Sequence, residues 1–403
     1  METEIKKTTL RESNQKITEK ICKNSETLLK ESASLKARWG IDVLNSKSFP
    51  VMESGFSWGA LERKIGTHPK FREADTASVF TQFLRAGVNV LATNAYVSAD
   101  DTYSDWVRVV PSKKAFELYA PFQGVGFPRQ VGPTQIYPEV RAAALDLQLA
   151  NYKFGSIYSV QKELLDDDQT GQFQQGAGQL GIYLKGLTEV WVYAKLASVA
   201  NMQYADLTIP TSETKPSTEA NYPYTTSAAP FVGGGYNRPS SFAIVGKAVL
   251  QAAFVALRSQ KNLQGLKMGL NPNRLICSEN SRFDSATLLN STFYPVGSGS
   301  AGATGNSFAI NPIKGLYDMT VSRFVAKNDG TFNGDSYAWY VTDDKFPSFI
   351  LQLREGPAVM QEAVNAGESF NRDIYRFRGS VRLNADFLDP RGIWLGNDGS
   401  VTS

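Results

Sequence analysis

Polar and apolar positions in the first part of the chain predict helix followed by extended structure. A weak heptad of apolar residues across residues 1–39 predicts an amphipathic helix with little core of its own, which we expect to bury its stripe against another subunit. A solvated tail is the alternative. Residues 40–75 have no clear period and predict an extended connection, while residues 76–91 predict a short helix that ends near Gly87.

Alternating residues that begin at Trp106 predict a long β-hairpin. The alternation continues to Tyr119, a Gly/Pro-rich tip follows at residues 124–133, and a return limb runs from Ile136 to about Val160. An isolated two-stranded ribbon is marginally stable in water. A projecting hairpin of this length therefore predicts packing on another subunit.

The clearest helical pattern comes next. From Phe173 to Ala194, apolar residues repeat at alternating steps of four and three and predict a helix over residues 169–203, roughly 50 Å long. Asp166, Asp167 and Asp168 suit the start of such a helix. Several glycines lower its intrinsic propensity, so packing must hold it.

The second half predicts a mixed α+β unit. Residues 204–239 hold five prolines and a Gly-Gly-Gly run, which predict a loop or domain boundary. Ser240 and Ser241 are then predicted to cap a helix from Phe242 to about Leu257. Further elements are predicted at Arg274–Ser278, Met319–Ala326 and Ala338–Thr342 (strands), near Ser281–Leu289 (helix), and at Asp373–Phe387 (a longer strand).

Composition argues against several classes of protein. Forty-two Lys and Arg against 39 Asp and Glu give a net charge of +3, without the concentrated basic stripe of a dedicated nucleic-acid binder. Cys22 and Cys277 form no disulfide framework, and the single histidine, His68, excludes mechanisms and metal sites that need two. No apolar run approaches the ~20 residues of a membrane span, and the charged start is no secretory signal, so we expect a soluble protein made inside the cell.

The candidate chemical motifs have simpler explanations. Residues 297–302 spell G-x-G-x-x-G, but no helical pattern follows, so the segment predicts a flexible loop. Glu163 with Asp166–Asp168 is a possible carboxylate pair or cation site, although charges at a helix start account for the same residues. His68 has no evident partner. The sequence therefore predicts no catalytic, cofactor-binding or metal site.

Aromatic residues make up 11% of the chain, and several lie in segments that suit no private core. Aromatic side chains are enriched where subunits meet, although ordinary core filling is the alternative explanation. The residues that we take as candidates for assembly contacts are Trp106, Tyr119, Phe122, Phe127, Trp191, Arg376 and Arg378.

Six short motifs, taken in order, resemble those of one protein family. They are WVRVVPS from Trp106, YAPFQGVGFP from Tyr119, ELLDDDQTG from Glu163, NPIKGLY from Asn311, Phe370 with YRFR from Tyr375, and DPRGIWLGNDGSV from Asp389. Over roughly residues 75–401 the chain resembles the major capsid proteins of tailed bacteriophages with the HK97-type fold, in particular the Mu-like major head subunits.

The resemblance implies how the chain is divided. The expected parts are an N-terminal arm at 1–105, an E-loop with peripheral-domain strands at 106–160, a peripheral domain with the spine helix at 161–221, an axial domain at 222–370 and a return to the peripheral domain at 371–403. Some relatives cross-link subunits through a Lys–Asn isopeptide bond, which would involve Lys113 or Lys114 with Asn384 or Asn397.

The resemblance also implies a non-enzymatic function. Copies would join as hexamers and pentamers into an icosahedral head around double-stranded DNA, which the shell contacts without sequence preference. Scaffold, portal and decoration proteins would be further partners, and the virion capsid would be built from chains made in the host bacterial cytoplasm. An encapsulin-like compartment shell and a carboxylate-dependent hydrolase are the alternatives.

Overall fold

The computed structural model describes residues 10–23, 87–119, 147–163, 172–197, 202–204, 207–209, 237–262, 266–296, 307–325, 337–362 and 371–397. These residues form helices and two four-stranded sheets, which confirms the predicted α+β class. The helices are α1 (Leu10–Lys23), α2 (helical over 87–98), α3 (Gln172–Ala197), α4 (Lys247–Ser259) and α5 (Arg282–Asn290). Short 3₁₀ turns cover Tyr103–Asp105 and Pro390–Gly392.

Fourteen strands are present in the described residues. In chain order they are β1 (Arg108–Pro111), β2 (Phe116–Tyr119), β3 (Leu147–Ala150), β4 (Tyr152–Gln161), β5 (Met202–Tyr204), β6 (Leu207–Ile209), β7 (Arg274–Cys277), β8 (Phe293–Val296), β9 (Ser307–Ile310), β10 (Asp318–Val321), β11 (Trp339–Thr342), β12 (Phe349–Gln361), β13 (Ile374–Phe387) and β14 (Ile393–Asn397).

The first sheet has the strand order β1-β12-β13-β4, with β1 parallel to β12 and the other pairs antiparallel. Helix α3 packs on β13 and β4, and α1 packs on β1 and β12. Apolar residues of both helices belong to one core cluster with Trp106 and with Phe349, Leu351 and Leu353 of β12.

Helix α3 confirms the predicted long helix. Ala177, Leu180, Leu184, Trp191 and Ala194 are all buried, as the alternating steps of four and three predict. The glycines have packing roles as well: a Cβ at residue 181 would collide with the carbonyl oxygen of Ala92, where α3 passes α2. Close helix contact therefore offsets the low helix propensity of Gly181.

The second sheet has the order β10-β7-β11-β14. Helix α4 and the inner sides of β7 and β11 enclose a second core cluster that includes Leu250, Leu275 and Trp339. The ribbons β2–β3, β5–β6 and β8–β9 are separate two-stranded pairs. The predicted strands at Arg274–Ser278 and Ala338–Thr342, the helix near Ser281–Leu289 and the long strand to Phe387 are confirmed, while Met319–Ala326 is shorter because a turn begins after Val321.

The N-terminal prediction needs a correction. Helix α1 does not depend on another subunit, because its partly buried Ile17 and Ile21 pack against this chain's own core and Cys22 is fully buried in it. Helix α1 packs over β1 and β12, whereas α3 packs mainly over β13 and β4. The rest of residues 1–39 and the predicted connection at 40–75 lie outside the described residues.

Two predicted helix ends are also wrong. Residues 87–98 are helical and bury Val88, Ala92 and Tyr96 at four-residue spacing, so Gly87 does not end this helix. Helix α4 begins at Lys247 rather than after Ser240 and Ser241, which are exposed. The backbone before α4 instead holds Trp339 of β11, because the Trp339 indole donates a hydrogen bond to the Ala243 carbonyl at 2.9 Å.

The two sheets join strands from different expected parts of the chain. Strand β12, within the expected axial domain at 222–370, is a central strand of the first sheet, and β14, within the expected return segment at 371–403, pairs with β11 in the second. Strand β1 also joins the first sheet, so the described two-stranded part of the predicted hairpin is only β2 with β3. Strand β1 pairs in parallel with β12 and therefore does not belong to the two-stranded ribbon.

Candidate assembly surface

Strand β2 of the β2–β3 ribbon turns its apolar residues away from its own chain, whereas Leu149 of β3 is buried. Phe116 and Leu118 are two residues apart and therefore on one face, and they are 48% and 70% exposed. The intervening Glu117 and the following Tyr119 are partly covered instead. This inverts the usual arrangement of a half-buried strand, and outward apolar surface on a structured ribbon is typical of a protein contact site.

Hydrogen bonds hold the inner face of the ribbon in place. The backbone N–H groups of Lys113 and Lys114 donate to the Glu117 carboxylate at 3.0 and 3.1 Å, and the Ser112 hydroxyl donates to it at 3.2 Å. These donors lower the pKa of Glu117 below its ordinary value. The Tyr119 hydroxyl donates to the Gln352 side chain of β12 at 2.8 Å, so the ribbon is tied to the first sheet with Phe116 facing outward.

Trp106 and Trp191 are corrections to the predicted set of assembly residues. Trp106 is buried against Tyr193 and Phe349, with ring centroids 6.0 and 5.4 Å apart, and Trp191 is fully buried. The Trp191 indole donates to the Asn384 side chain at 3.0 Å. Both tryptophans fill this chain's own core, because α3 and the first sheet close over them.

The other predicted residues have different surroundings. Tyr119 lies on the ribbon's inner face, Arg376 is half-buried and 3.7 Å from the Glu362 carboxylate, and Arg378 is exposed on β13 with its guanidinium 3.2 Å from the Met360 sulfur. Phe122 and Phe127 lie outside the described residues. None of the five described residues lies on the outward apolar face; Phe116 and Leu118, which sequence reasoning missed, form it.

A buried polar junction positions the chain that leads into β1. Asn14 of α1 donates to the carbonyls of Ser104 and Val107 at 3.1 and 2.6 Å and accepts from the Val109 N–H at 3.0 Å. Asp105 lies 3.3 Å from Arg11 and 3.7 Å from Arg274, which connects α1 with the second sheet. This junction fixes where the ribbon begins.

Two residues of α3 complete the junction. Lys185 forms a buried ion pair with Asp101 at 2.5 Å, and the Glu189 carboxylate accepts hydrogen bonds from the Thr102 backbone and hydroxyl and from Ser322. Burial raises the pKa of Glu189. The predicted seam of α3 contained neither residue, since sequence spacing gave no signal for a polar partner.

The Lys–Asn cross-link expectation does not fit the described asparagines. Lys113 and Lys114 are exposed, but Asn384 and Asn397 are buried, and Asn384 donates to the Ala150 carbonyl while accepting from Trp191. Neither amide is accessible to a lysine of a neighbouring copy without opening the core.

The described residues give no support to a chemical site. They contain no cluster of three or more His, Cys, Asp or Glu side chains that can hold a metal ion, and Glu163 is solvent-exposed. His68, Asp166–Asp168 and the G-x-G-x-x-G segment at 297–302 lie outside the described part. No described helix is long and apolar enough to cross a membrane.

Fold and surface together define an α+β protein with an outward apolar face on strand β2. The model of the family described as phage capsid protein matches residues 147–395, more than half of the chain. The chain therefore belongs to the phage capsid protein family, as its six motifs predict. No curated protein matches it.

Several solved structures share a partial likeness with the chain. A chain from Mycobacterium phage Ogopogo is 12% identical, with coverage of 74% of this chain and 91% of that one and a TM-score of 0.44. A procapsid of bacteriophage JBD30 is 16% identical, with coverage of 81% of this chain and 76% of that one and a TM-score of 0.38. A virus-like particle from Pyrococcus furiosus is 8% identical, with coverage of 76% of this chain and 96% of that one and a TM-score of 0.43. At these TM-scores the family membership rests on the family model.

Proposed function

We propose that this chain is the major subunit of a tailed-phage head with the HK97-type architecture. Copies associate as hexamers and pentamers into an icosahedral shell, and the outward face of the β2–β3 ribbon contributes to the contacts between them. The observation that carries the proposal, beside family membership, is that Phe116 and Leu118 are exposed while the polar side of the same strand is tied down.

The energy available at this face is modest for one contact and large for a shell. Full burial of a Phe or Leu side chain stabilises by about 1.5–3 kcal/mol, and about half or more of each side chain is still exposed. Covering both therefore contributes about 2–3 kcal/mol per contact. A stable interface also needs roughly 1,000 Å² of buried surface, so other surfaces must take part.

The same proposal specifies contents and partners. The shell encloses packaged double-stranded DNA, and a net charge of only +3 fits weak, sequence-independent contact by each subunit. Scaffold, portal and decoration proteins are the further partners of such a shell. The chain acts by association and not by catalysis, and shells form in the host bacterial cytoplasm before they become virion capsids.

Electron microscopy and sedimentation of the purified full-length chain test the proposal. The double variant Phe116→Ser, Leu118→Ser should shift the chain from shells to small species, whereas Val255→Ser, which changes an equally exposed apolar residue of α4, should leave shells intact. Unchanged thermal unfolding of the double variant would show that its fold is retained. Shells formed normally by that variant would refute the role of the ribbon, and wild-type protein that stays monomeric would refute the shell.

Nucleic acid within the purified shells distinguishes a phage head from the encapsulin-like alternative. Nuclease-protected DNA in particles from phage-producing cells supports the head. A bound cargo protein in place of DNA would support the compartment instead.

A further inference from the structure

Strand β4 is one of the two edge strands of the first sheet in the described part of the chain. It is ten residues long, antiparallel to β13, and six of its residues are exposed, namely Lys153, Gly155, Ser156, Ile157, Ser159 and Gln161. A long, exposed edge strand presents a row of backbone N–H and C=O groups to which another strand can bond. This edge is therefore a template for strand addition.

The side chains on the outer face of this edge carry excess positive charge. We name the group formed by Lys153, Arg376, Arg378 and Arg382 the cationic stripe. Lys153 lies directly opposite Arg382, an arrangement of like charges that is unfavourable in a sheet. Arg382 is 3.3 Å from the Glu355 carboxylate, but within the described residues neither Lys153 nor Arg378 has a carboxylate partner.

Apolar side chains flank the stripe. Ile157 and Met360 are the cross-strand neighbours of Arg378 on either side, and they are 53% and 37% exposed. On the inner face of β4, Phe154 stacks edge-on against Trp191 at 4.9 Å but is only partly buried, since no described strand lies beyond it. A further strand would cover apolar surface on both faces.

We propose that β4 receives an extended segment of a different protein as a fifth strand of the first sheet. That segment alternates apolar residues, which extend the layer of Phe154 under α3, with carboxylates that pair with Lys153 and Arg378. Strand addition supplies main-chain hydrogen bonds, while the alternating side chains supply the specificity.

Among this chain's described edge strands only β2 alternates apolar residues with a carboxylate, and that carboxylate, Glu117, already accepts hydrogen bonds from Ser112, Lys113 and Lys114. Strand β1 contributes Arg108 and a proline, β14 contains no acidic residue, and β10 offers one carboxylate, Asp318, at its first position. None of the described strands offers a free acidic strand, so we assign the added strand to a different protein, and self-association is one outcome of the test. Exposed Ile157 and the open backbone edge favour a peptide strand over DNA, which would need neither.

A labelled ten-residue peptide that alternates valine with glutamate provides the probe, and fluorescence anisotropy with the full-length chain measures its affinity. A valine–lysine peptide tests charge, and a valine–glutamate peptide with a central proline tests strand formation. The protein variants are Lys153→Glu with Arg378→Glu, the neutral pair Lys153→Gln with Arg378→Gln, and Lys267→Glu as a control at an exposed lysine elsewhere.

The valine–glutamate peptide should bind at least tenfold more tightly than either control peptide. The charge-reversed pair should weaken binding by tenfold or more and the neutral pair by less, while Lys267→Glu retains wild-type affinity. Equal binding of the proline peptide would overturn strand addition. Tighter binding of a 20-base-pair DNA duplex, lost in the same variant, would show a nucleic-acid surface. Displacement of the peptide by unlabelled copies of the chain would show self-association.

Discussion

Replacing Asn14 with alanine removes three hydrogen bonds that join α1 to the chain leading into β1. The amide donates to the carbonyls of Ser104 and Val107, and its oxygen accepts from the Val109 N–H. The side chain is 1% exposed, so water does not replace these bonds while α1 stays in place.

The expected loss follows from these contacts. Each bond contributes about 1 kcal/mol net, and a buried group left without a partner costs about 1–3 kcal/mol. Three such groups predict a loss of about 3–5 kcal/mol if α1 remains bound. Should α1 detach instead, water solvates the freed groups and the loss cannot exceed the free energy that holds α1 on the sheet.

Urea unfolding gives the total loss, and thiol reactivity separates the two responses. Cys22 of α1 is fully buried, and burial raises the pKa of its thiol to about 12, so it should react slowly with a disulfide reagent at pH 8. Detachment of α1 would make Cys22 react quickly in Asn14→Ala. Cys277, which is buried in the second core cluster with its pKa raised to about 11, should stay protected and serves as the internal reference.

The control is Gln15→Ala, which changes the exposed neighbouring residue and should leave both measurements unaltered. An Asn14→Ala variant with an unfolding free energy within about 0.5 kcal/mol of the wild type, and with Cys22 still protected, would refute the reasoning. It would mean that α1 does not depend on these bonds.

Three further predictions concern α3 and the segment before β14. Gly181→Ala places a methyl group against the Ala92 carbonyl and should lower the melting temperature by several degrees in calorimetry, while Gly186→Ala, at an open position, should not. Burial raises the pKa of Glu189, so the folded state binds its proton more readily than the unfolded chain, and stability falls as pH rises through the folded pKa. Glu189→Gln should flatten the stability–pH curve above the ordinary pKa of a glutamate, and an unchanged slope would contradict this. Asp389→Asn breaks a buried ion pair with the arginine two residues later and should cost about 3–5 kcal/mol in urea unfolding; a loss below about 1 kcal/mol would contradict it.

Elements with a strong local period could be predicted from the sequence. The helical spacing from Ala177 to Ala194 and the alternation that ends at Phe387 each reflect a single buried face. Helix α3 and strand β13 match these patterns within a few residues. The predicted helix end at Gly87 was wrong because a single glycine was taken as a stop signal, although the buried apolar residues that follow it continue the helical spacing.

Strand β12 shows what local patterns cannot reveal. Residues 349–353 are nearly all apolar and do not alternate, because the helices cover one face of this central strand and the β2–β3 ribbon, through Tyr119 and Gln352, covers the other. Gly356 and Pro357 then interrupt the run. The outward face of Phe116 and Leu118 was missed for a related reason: which side of a short strand is buried depends on the tertiary partner of Tyr119.

The register of β13 decides which charges the first sheet presents. Phe377 and Val381 face α3, and Gly379 lies between them, where a Cβ would be 3.0 Å from the Leu180 side chain. Because strand side chains alternate, Arg378 must face the other way, and a slip by one residue would move it under α3 and expose Phe377. The core itself therefore holds Arg378 outward. Charge substitutions in the cationic stripe consequently change the surface without competing with the packing that sets the register.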